Sequence, residues 1–300
     1  MYPSSSPREF SLFRDYVGGG RLRPFPATAS AEGAQFNVPP SLWERALSQG
    51  EGSPRMDPAA TPDTWRLTLH QTTHGYRFAL EAFLLADFVP APAPAPCIDL
   101  GTGCGVVALF LARRFPRLCC VGLELQRSLA VLAQQNVACN GLEHRIGIVQ
   151  GDMRQVSALF PAGVFGTVVC NPPYRAVGHG RLNPHPEQAI ARHELTLTLP
   201  QLVQAARHLL RRRGLLVIVY HPSRLPELFA QLEAAHLRPR RMRLVHATQQ
   251  ALASIVLVEA IRDGRDALTV LPPLWVYEAS GDYTMEMQAI FQGRVLGEMP

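Results

Sequence analysis

The sequence contains no lysine, and its 29 basic residues are all arginine. This absence excludes chemistry that needs a side-chain amine, such as a Schiff base with pyridoxal phosphate, and it excludes a Walker-A phosphate lysine. The six cysteines include no C-x-x-C pair, which argues against a zinc or redox site and favours a reduced, intracellular protein. No basic start precedes an apolar segment, and no run of about 18 apolar residues lacks charge or proline. We therefore expect a cytoplasmic protein with no signal peptide and no membrane span.

With 300 residues, of which 47% are hydrophobic, the chain is long enough to bury a full core. Residues 1–60 contain Gly18-Gly19-Gly20 and Pro39-Pro40 without sustained periodicity, so we predict a flexible or poorly ordered extension. Residues 61–300 are predicted to form a single domain. The net charge of +5 belongs to this second part, because acids and arginines balance in the first. A positive charge indicates a polyanionic partner only weakly.

Beyond residue 97, short apolar runs alternate with helical stretches of 10–15 residues. This pattern predicts an α/β fold with a doubly wound, mostly parallel sheet of seven strands. Only a loop separates the last two strands, so one of them can be antiparallel. The segment 271–287 is predicted to add a small C-terminal hairpin that turns at Ser280-Gly281-Asp282.

A glycine-rich turn, DLGTGCG, follows the first predicted strand and precedes a helix. Its Asp99, Gly101, Gly103 and Gly105 are candidate cofactor-binding residues, because glycines let the backbone approach a ligand closely at the carboxyl end of a strand. The spacing G-x-G-x-G differs from the G-x-G-x-x-G dinucleotide fingerprint, which disfavours a nicotinamide cofactor.

Two further acids end the next strands. Glu124 can accept hydrogen bonds from a ribose diol, and Asp152 can accept one from an adenine amino group. The combination DLGTGCG, GLEL and GD resembles the S-adenosylmethionine-dependent methyltransferases. This resemblance implies a Rossmann-like class I methyltransferase fold and S-adenosyl-L-methionine as the cofactor.

The string Asn171-Pro172-Pro173-Tyr174 follows the fourth predicted strand. The side-chain oxygen of Asn171 and the main-chain oxygen of Pro172 can both accept from one exocyclic amine, and these bonds strengthen as charge develops on nitrogen. Tyr174 can stack on a flipped ring. The motif resembles that of methyltransferases acting on amide or aromatic exocyclic nitrogens, and it makes these residues the catalytic candidates, with Asn171 also beside the cofactor.

Three more segments narrow the resemblance: HGYRF at 74–78, ARHE at 191–194 and LPPLWVY at 271–277. Over residues 64–293 the sequence resembles the bacterial tRNA1(Val) adenine-N6 methyltransferase family, with Glu81 where the family pattern has aspartate. The resemblance implies methylation of N6 of the adenine beside the anticodon, with tRNA as the partner.

Candidate substrate-binding residues flank this motif. Tyr76 and Arg77 are implied to line the site, and the segment 175–193 is expected to grip the substrate through its arginines, Arg175, Arg181 and Arg192. Its three histidines fit no zinc spacing, so no metal is expected.

A second basic cluster lies far from this motif. Arg211, Arg212 and Arg213 are predicted to end a helix before the fifth strand, and the arginines of 238–243 to lead into the sixth. Both groups should lie at the amino-terminal rim of the sheet. Charges in a last helical turn complement the helix dipole, and that interpretation is favoured here over a role in binding.

Three alternatives stay open. Protein glutamine-N5 methyltransferases share the N-P-P-Y motif, but they carry an N-terminal helical bundle that the Pro- and Gly-rich residues 1–60 do not favour. Methylation of rRNA or DNA bases uses the same chemistry. A binding module without activity is disfavoured by the intact Asp99, Glu124, Asp152 and Asn171.

Overall fold

The computed structural model describes residues 67–70, 80–172 and 197–291, and a nine-stranded sheet runs through its centre. The first 60 residues, predicted as a flexible extension, lie outside the described residues. The strands are β1 (Cys97–Leu100), β2 (Cys120–Glu124), β3 (Ile146–Gln150), β4 (Phe165–Cys170), β5 (Leu210–Tyr220), β6 (Leu237–His246), β7 (Ala253–Arg262), β8 (Thr269–Val270) and β9 (Leu274–Trp275).

The strand order is β3-β2-β1-β4-β5-β7-β6-β8, and β9 also pairs with β6. Strands β1 to β5 are parallel to one another, whereas β7 is antiparallel to both of its neighbours, as the short β6–β7 loop allows. All seven predicted strands are present. The strand order reverses between β1 and β4, and ligands of open α/β sheets bind at the carboxyl ends of the strands at such a point.

Helices cover both faces of the sheet. They are α1 (Leu80–Phe88), α2 (Val106–Arg114), α3 (Arg127–Cys139), α4 (Val156–Leu159), α5 (Leu199–Leu209), α6 (Leu225–Ala234) and α7 (Met285–Phe291). One apolar cluster joins α1, α2, α3 and α7 to one face, and a second joins α4, α5 and α6 to the other. Successive strand residues alternate between the two clusters, as in Val168 and Val169. The doubly wound fold predicted from the sequence is confirmed.

The end of α5 corrects one prediction. A capping box between Thr198 and Gln201 starts this helix, but the helix ends at Leu209 rather than in the triple arginine. The backbone is already extended at Leu210, which is fully buried and pairs with Phe165 of β4. Pairing with a neighbouring strand thus overrides the helical propensity of the arginines. Residues 211–213 belong to β5, so they cannot complement a helix dipole from a last helical turn.

The arginines of 238–243 likewise lie inside β6 rather than before it. Both arginine groups nevertheless lie at the amino-terminal ends of their strands, because β5 and β6 are each antiparallel to β7. The predicted position on the rim opposite Asn171 therefore agrees with the structure.

The predicted C-terminal hairpin is small. The chain turns between Glu278 and Asp282, where the Glu278 main-chain N–H donates to the Asp282 main-chain oxygen at 2.8 Å. One antiparallel bridge joins Tyr277 to Tyr283. The second arm stops there because the Thr284 hydroxyl accepts from the Met287 main-chain N–H at 3.2 Å and begins α7.

The extended segment 67–70 attaches to α3 through two asparagines. The main chain of Thr68 donates to and accepts from the Asn140 side chain at 2.9 and 2.8 Å, and that of His70 does the same with Asn136 at 2.7 and 3.0 Å. Leu67 and Leu69 are buried in the core beneath. The main chain of segment 67–70 is thus hydrogen-bonded as at the edge of a sheet, with side-chain amides in the place of a neighbouring strand.

Candidate active site

The glycine-rich turn after β1 is a tight backbone loop at the carboxyl rim of the sheet. Gly101, Gly103 and Gly105 have φ values of 73°, 59° and 85°, a left-handed region that residues with a Cβ rarely adopt. A Cβ on Gly105 would also lie 3.2 Å from the Cβ of Ala133. The loop therefore needs glycine for its shape as well as for the approach of a ligand.

Asp99 lies beneath this loop and is almost fully buried. The Thr102 hydroxyl donates to its Oδ2 at 2.6 Å. Burial raises the pKa of Asp99 from 3.8 to about 7, although the hydrogen bond from Thr102 acts in the opposite direction. Asp99 therefore supports the loop from inside the sheet.

Glu124, the last residue of β2, links the glycine loop to this neighbouring strand through hydrogen bonds. Its Oε2 accepts from the main-chain N–H of Gly103 at 2.8 Å, and its Oε1 accepts from that of Gln126 at 2.9 Å. Burial raises the pKa of this carboxyl group, and the main-chain donors oppose that shift. Each carboxylate oxygen keeps a second lone pair, so Glu124 can also accept from a ligand diol.

Asn136 of α3 is a residue of this region that the sequence reasoning missed. It is fully buried, and its Nδ2 donates to the main-chain oxygen of Cys104 in the glycine loop at 2.8 Å. The sequence does contain a sign of its burial, because Asn136 falls four residues after Leu132 and three after Ala133, on the apolar face of the helix. A polar residue in that position has to find partners when buried.

Asp152 follows β3 and is more exposed than the other two acids. Its carboxylate accepts from the Arg154 main-chain N–H at 2.8 Å and forms an ion pair with the Arg154 guanidinium at 2.5 Å. The hydrogen bonds from Arg154 lower the pKa of Asp152. An ionised, partly solvated carboxylate can accept from an amino group of a ligand.

Asn171 and Pro172 come directly after β4, whose last residue Cys170 pairs with Leu100 of β1. The Cys170 thiol lies 3.2 Å from the Leu100 carbonyl oxygen. Asn171 therefore leaves the sheet beside Gly101, on the adjacent strand. The first two residues of N-P-P-Y thus lie next to the glycine loop, as their positions in the sequence predict.

The structure describes Glu81, the departure from the family pattern, but not the remaining site candidates. Glu81 is half-buried in the first turn of α1. The others lie outside the described residues: Tyr174, Tyr76, Arg77, Arg175, Arg181 and Arg192. Within 67–70, 80–172 and 197–291, no group of three or more histidines, cysteines or acids is arranged to hold a metal ion. Over the same ranges, no helix has the length and apolar character needed to cross a membrane.

At the switch point of this sheet, a glycine loop follows β1, carboxylates lie at the end of β2 and after β3, and an Asn-Pro step follows β4. This arrangement defines a class I S-adenosylmethionine-dependent methyltransferase. The model of the methyltransferase small domain family matches residues 81–236, and the chain belongs to that family. The methyltransferase class and the cofactor predicted from the sequence are thereby confirmed.

Individual relatives agree with this result. The chain is 27% identical over 218 residues to the tRNA1(Val) (adenine(37)-N6)-methyltransferase of Photobacterium profundum, covering 72% of this chain and 90% of that protein. It is 34% identical over 170 residues to the enzyme of the same name from Porphyromonas gingivalis, covering 54% and 66%. These matches confirm the resemblance noted from the sequence. A solved structure from Agrobacterium tumefaciens, described as a predicted O-methyltransferase, superposes with a TM-score of 0.59 at 23% identity over 71% of this chain and 96% of that one, which shows the shared fold.

Proposed function

We propose that this protein transfers a methyl group from S-adenosylmethionine to N6 of an adenine in tRNA, in the cytoplasm, at the position beside the anticodon. The observation that carries the proposal is the register of β1 and β4, which sets Asn171 and Pro172 beside the glycine loop. The relatives named tRNA1(Val) (adenine(37)-N6)-methyltransferase support adenine in tRNA as the acceptor.

The donors and acceptors at this rim fit the proposed cofactor. Glu124 offers carboxylate lone pairs to a ribose diol, and Asp152 offers an ionised carboxylate to an adenine amino group. The positive-φ glycines at 101 and 103 leave the backbone open to close approach. When bound, S-adenosylmethionine supplies an electrophilic methyl group on a sulfonium.

The chain's part in the reaction is to hold and polarise the acceptor amine. The Asn171 side-chain oxygen and the Pro172 main-chain oxygen accept from the two N–H groups of the amine. These bonds strengthen as positive charge develops on nitrogen, so they stabilise the transition state more than the ground state. No strong base is required, because a methylated aryl ammonium releases its proton readily.

The other candidates hold the substrate in this proposal. Tyr174 stacks on the flipped adenine ring, which contributes roughly 1–3 kcal/mol. Tyr76 and Arg77 line the site, and Arg175, Arg181 and Arg192 contact phosphates or bases.

Labelled S-adenosylmethionine incubated with separate pools of tRNA, rRNA, DNA and release factor tests the proposal. We expect label in tRNA, recovered as N6-methyladenosine after digestion. Asn171→Ala should lower kcat by about 10²–10³-fold, as expected for loss of a transition-state contact. The matched control is Asn140→Ala, which removes the asparagine that caps the C-terminal end of α3, away from the carboxyl rim of the sheet. Label only in release factor, or full activity of Asn171→Ala, would contradict the proposal.

A further inference from the structure

Seven arginines lie at the rim formed by the amino-terminal ends of β5 and β6 and the carboxyl-terminal end of β7, opposite the candidate active site. This surface, called the basic rim below, consists of Arg207, Arg211, Arg212, Arg213, Arg238, Arg262 and Arg265. Most of these side chains are exposed. Four of them are joined by ion pairs and hydrogen bonds to the two aspartates of the loop after β7.

Asp263 and Asp266 connect Arg207, Arg213, Arg238 and Arg262. Asp263 pairs with Arg207 at 3.2 Å and with Arg262 at 3.4 Å. Asp266 pairs with Arg213 at 3.3 Å, and its main-chain oxygen accepts from Arg238 at 3.0 Å. Two acids thus face seven arginines, and the surface keeps a large positive excess.

The outermost arginines are held out of the sheet by a bulge. Phe165 of β4 pairs with Leu210, but the next paired residues are Thr167 and Leu215, so four residues of β5 lie opposite Gly166 alone. A Cβ on Gly214 would lie 2.8 Å from the Arg211 carbonyl oxygen, which requires glycine at the closing residue. Bulges of this kind re-aim side chains. Here the bulge directs Arg211, Arg212 and Arg213 into solvent.

The backbone is also unusual along this rim. Within the described part of the chain, the non-glycine residues with positive φ are Arg213 (65°), His236 (55°) and Asp263 (53°). All three lie at the junctions where β5, β6 and β7 begin or end on this side. Strained backbone clusters at functional sites more often than elsewhere.

Among the described residues, the side chains of Arg211 and Arg212 are exposed and form no ion pair or hydrogen bond. They lie in a strand, so the helix-dipole role expected from the sequence does not apply. Exposed guanidinium groups that no described side chain occupies suit bidentate binding of phosphate oxygens. The excess of positive charge also suits a polyanion better than a single small anion.

We propose that the basic rim binds phosphates of the RNA substrate at a distance from the methylated base. This inference rests on the proposed function, because it takes tRNA as the substrate. Residues 211–214 lie opposite Gly166, five residues before Asn171, so at ~3.3 Å per residue along β4 Arg213 lies ~17 Å from Asn171. A stacked strand rises ~3.4 Å per nucleotide and an extended strand rises more, and in either state the separation spans more than one nucleotide. The rim therefore reaches nucleotides beyond the immediate neighbours of the target adenine.

Equilibrium binding of full-length tRNA to Arg211→Ala/Arg212→Ala tests this proposal. Each phosphate contact contributes about 0.7–0.9 to the slope of log K against log salt. Losing two contacts should make the affinity ratio between 50 and 200 mM salt roughly tenfold smaller than in the wild type. A trinucleotide centred on the target adenine adds a single nucleotide on either side and does not reach the basic rim, so its binding should not change.

Two controls and a prior measurement separate the outcomes. Arg211→Lys/Arg212→Lys keeps both charges and should restore most of the salt slope. Arg117→Ala removes an exposed arginine near β2, three strands away, and should change the slope little. If the wild type does not methylate tRNA, the proposed function fails, and this inference with it. If the wild type methylates tRNA but the double alanine variant keeps the wild-type slope, or loses the trinucleotide equally, only the basic-rim inference is wrong.

Discussion

Replacing Asn136 by alanine should weaken both the fold and cofactor binding. The Cys104 carbonyl oxygen would lose its buried donor, which costs about 1–3 kcal/mol, and the two hydrogen bonds to His70 contribute about 0.5–1.5 kcal/mol each. The expected loss in the free energy of unfolding is thus ~2–6 kcal/mol, out of a typical total of ~5–15 kcal/mol. Because Cys104 belongs to the glycine loop, the Kd for S-adenosylmethionine should rise about 5- to 30-fold, which corresponds to ~1–2 kcal/mol.

Asn140→Ala is the matched comparison for this variant. Asn140 binds Thr68 in the same way as Asn136 binds His70, but its side chain makes no hydrogen bond to the glycine loop. It should lower the free energy of unfolding by ~1–2 kcal/mol and leave the cofactor Kd within about twofold. Urea unfolding gives the stability of each variant, and isothermal titration with S-adenosylmethionine gives the Kd. Equal changes in Kd for both variants would refute a specific link between Asn136 and the loop.

Three further outcomes follow from the same geometry. Gly105→Ala forces a Cβ into a left-handed backbone 3.2 Å from Ala133, so thermal unfolding should show a loss of about 1–2 kcal/mol, and cofactor titration a weaker Kd. Burial raises the pKa of Asp99 to about 7, so the folded state retains a proton that the unfolded chain releases near 3.8. The free energy of unfolding should therefore fall as pH rises from about 4 to 7, and Asp99→Asn should remove that part of the slope in urea titrations at successive pH values. Glu259→Gln neutralises a fully buried partner of two arginines and should lower the free energy of unfolding in urea by ~3–5 kcal/mol. Glu227→Gln, in an exposed pair, should lower it by less than ~1 kcal/mol. Equal losses for the two variants would contradict this reasoning.

The strands and the glycine loop could be predicted because their signals are local. CIDL and FGTVVC are short apolar runs buried on both faces, and such runs are typical of strands in a parallel sheet. The loop has positive φ at Gly101, Gly103 and Gly105, and glycine in the sequence indicates such positions directly.

Features that depend on distant partners could not be predicted in the same way. The sequence of residues 211–213 predicts a helix end, but they lie in a strand because Leu210 pairs with Phe165, which is 45 positions earlier in the chain. Strands β8 and β9 have two residues each and exist only through pairing with β6. The role of Asn136 depends on Cys104 and His70, which meet it only in the folded chain.

The pairing of segment 67–70 with α3 has a consequence for which residues can vary. Residues four apart on a helix are ~6 Å apart along the axis, and residues two apart on a strand are ~6.6 Å apart. One face of α3 can therefore act as a substitute strand edge, with Asn136 and Asn140 in place of main-chain amides. Asn140 contacts Thr68 through its main chain alone and the Thr68 side chain is exposed, so position 68 should accept most side chains. Position 70 should vary less, because the His70 ring lies 3.6 Å from the Cys139 thiol, and the two asparagines should vary least.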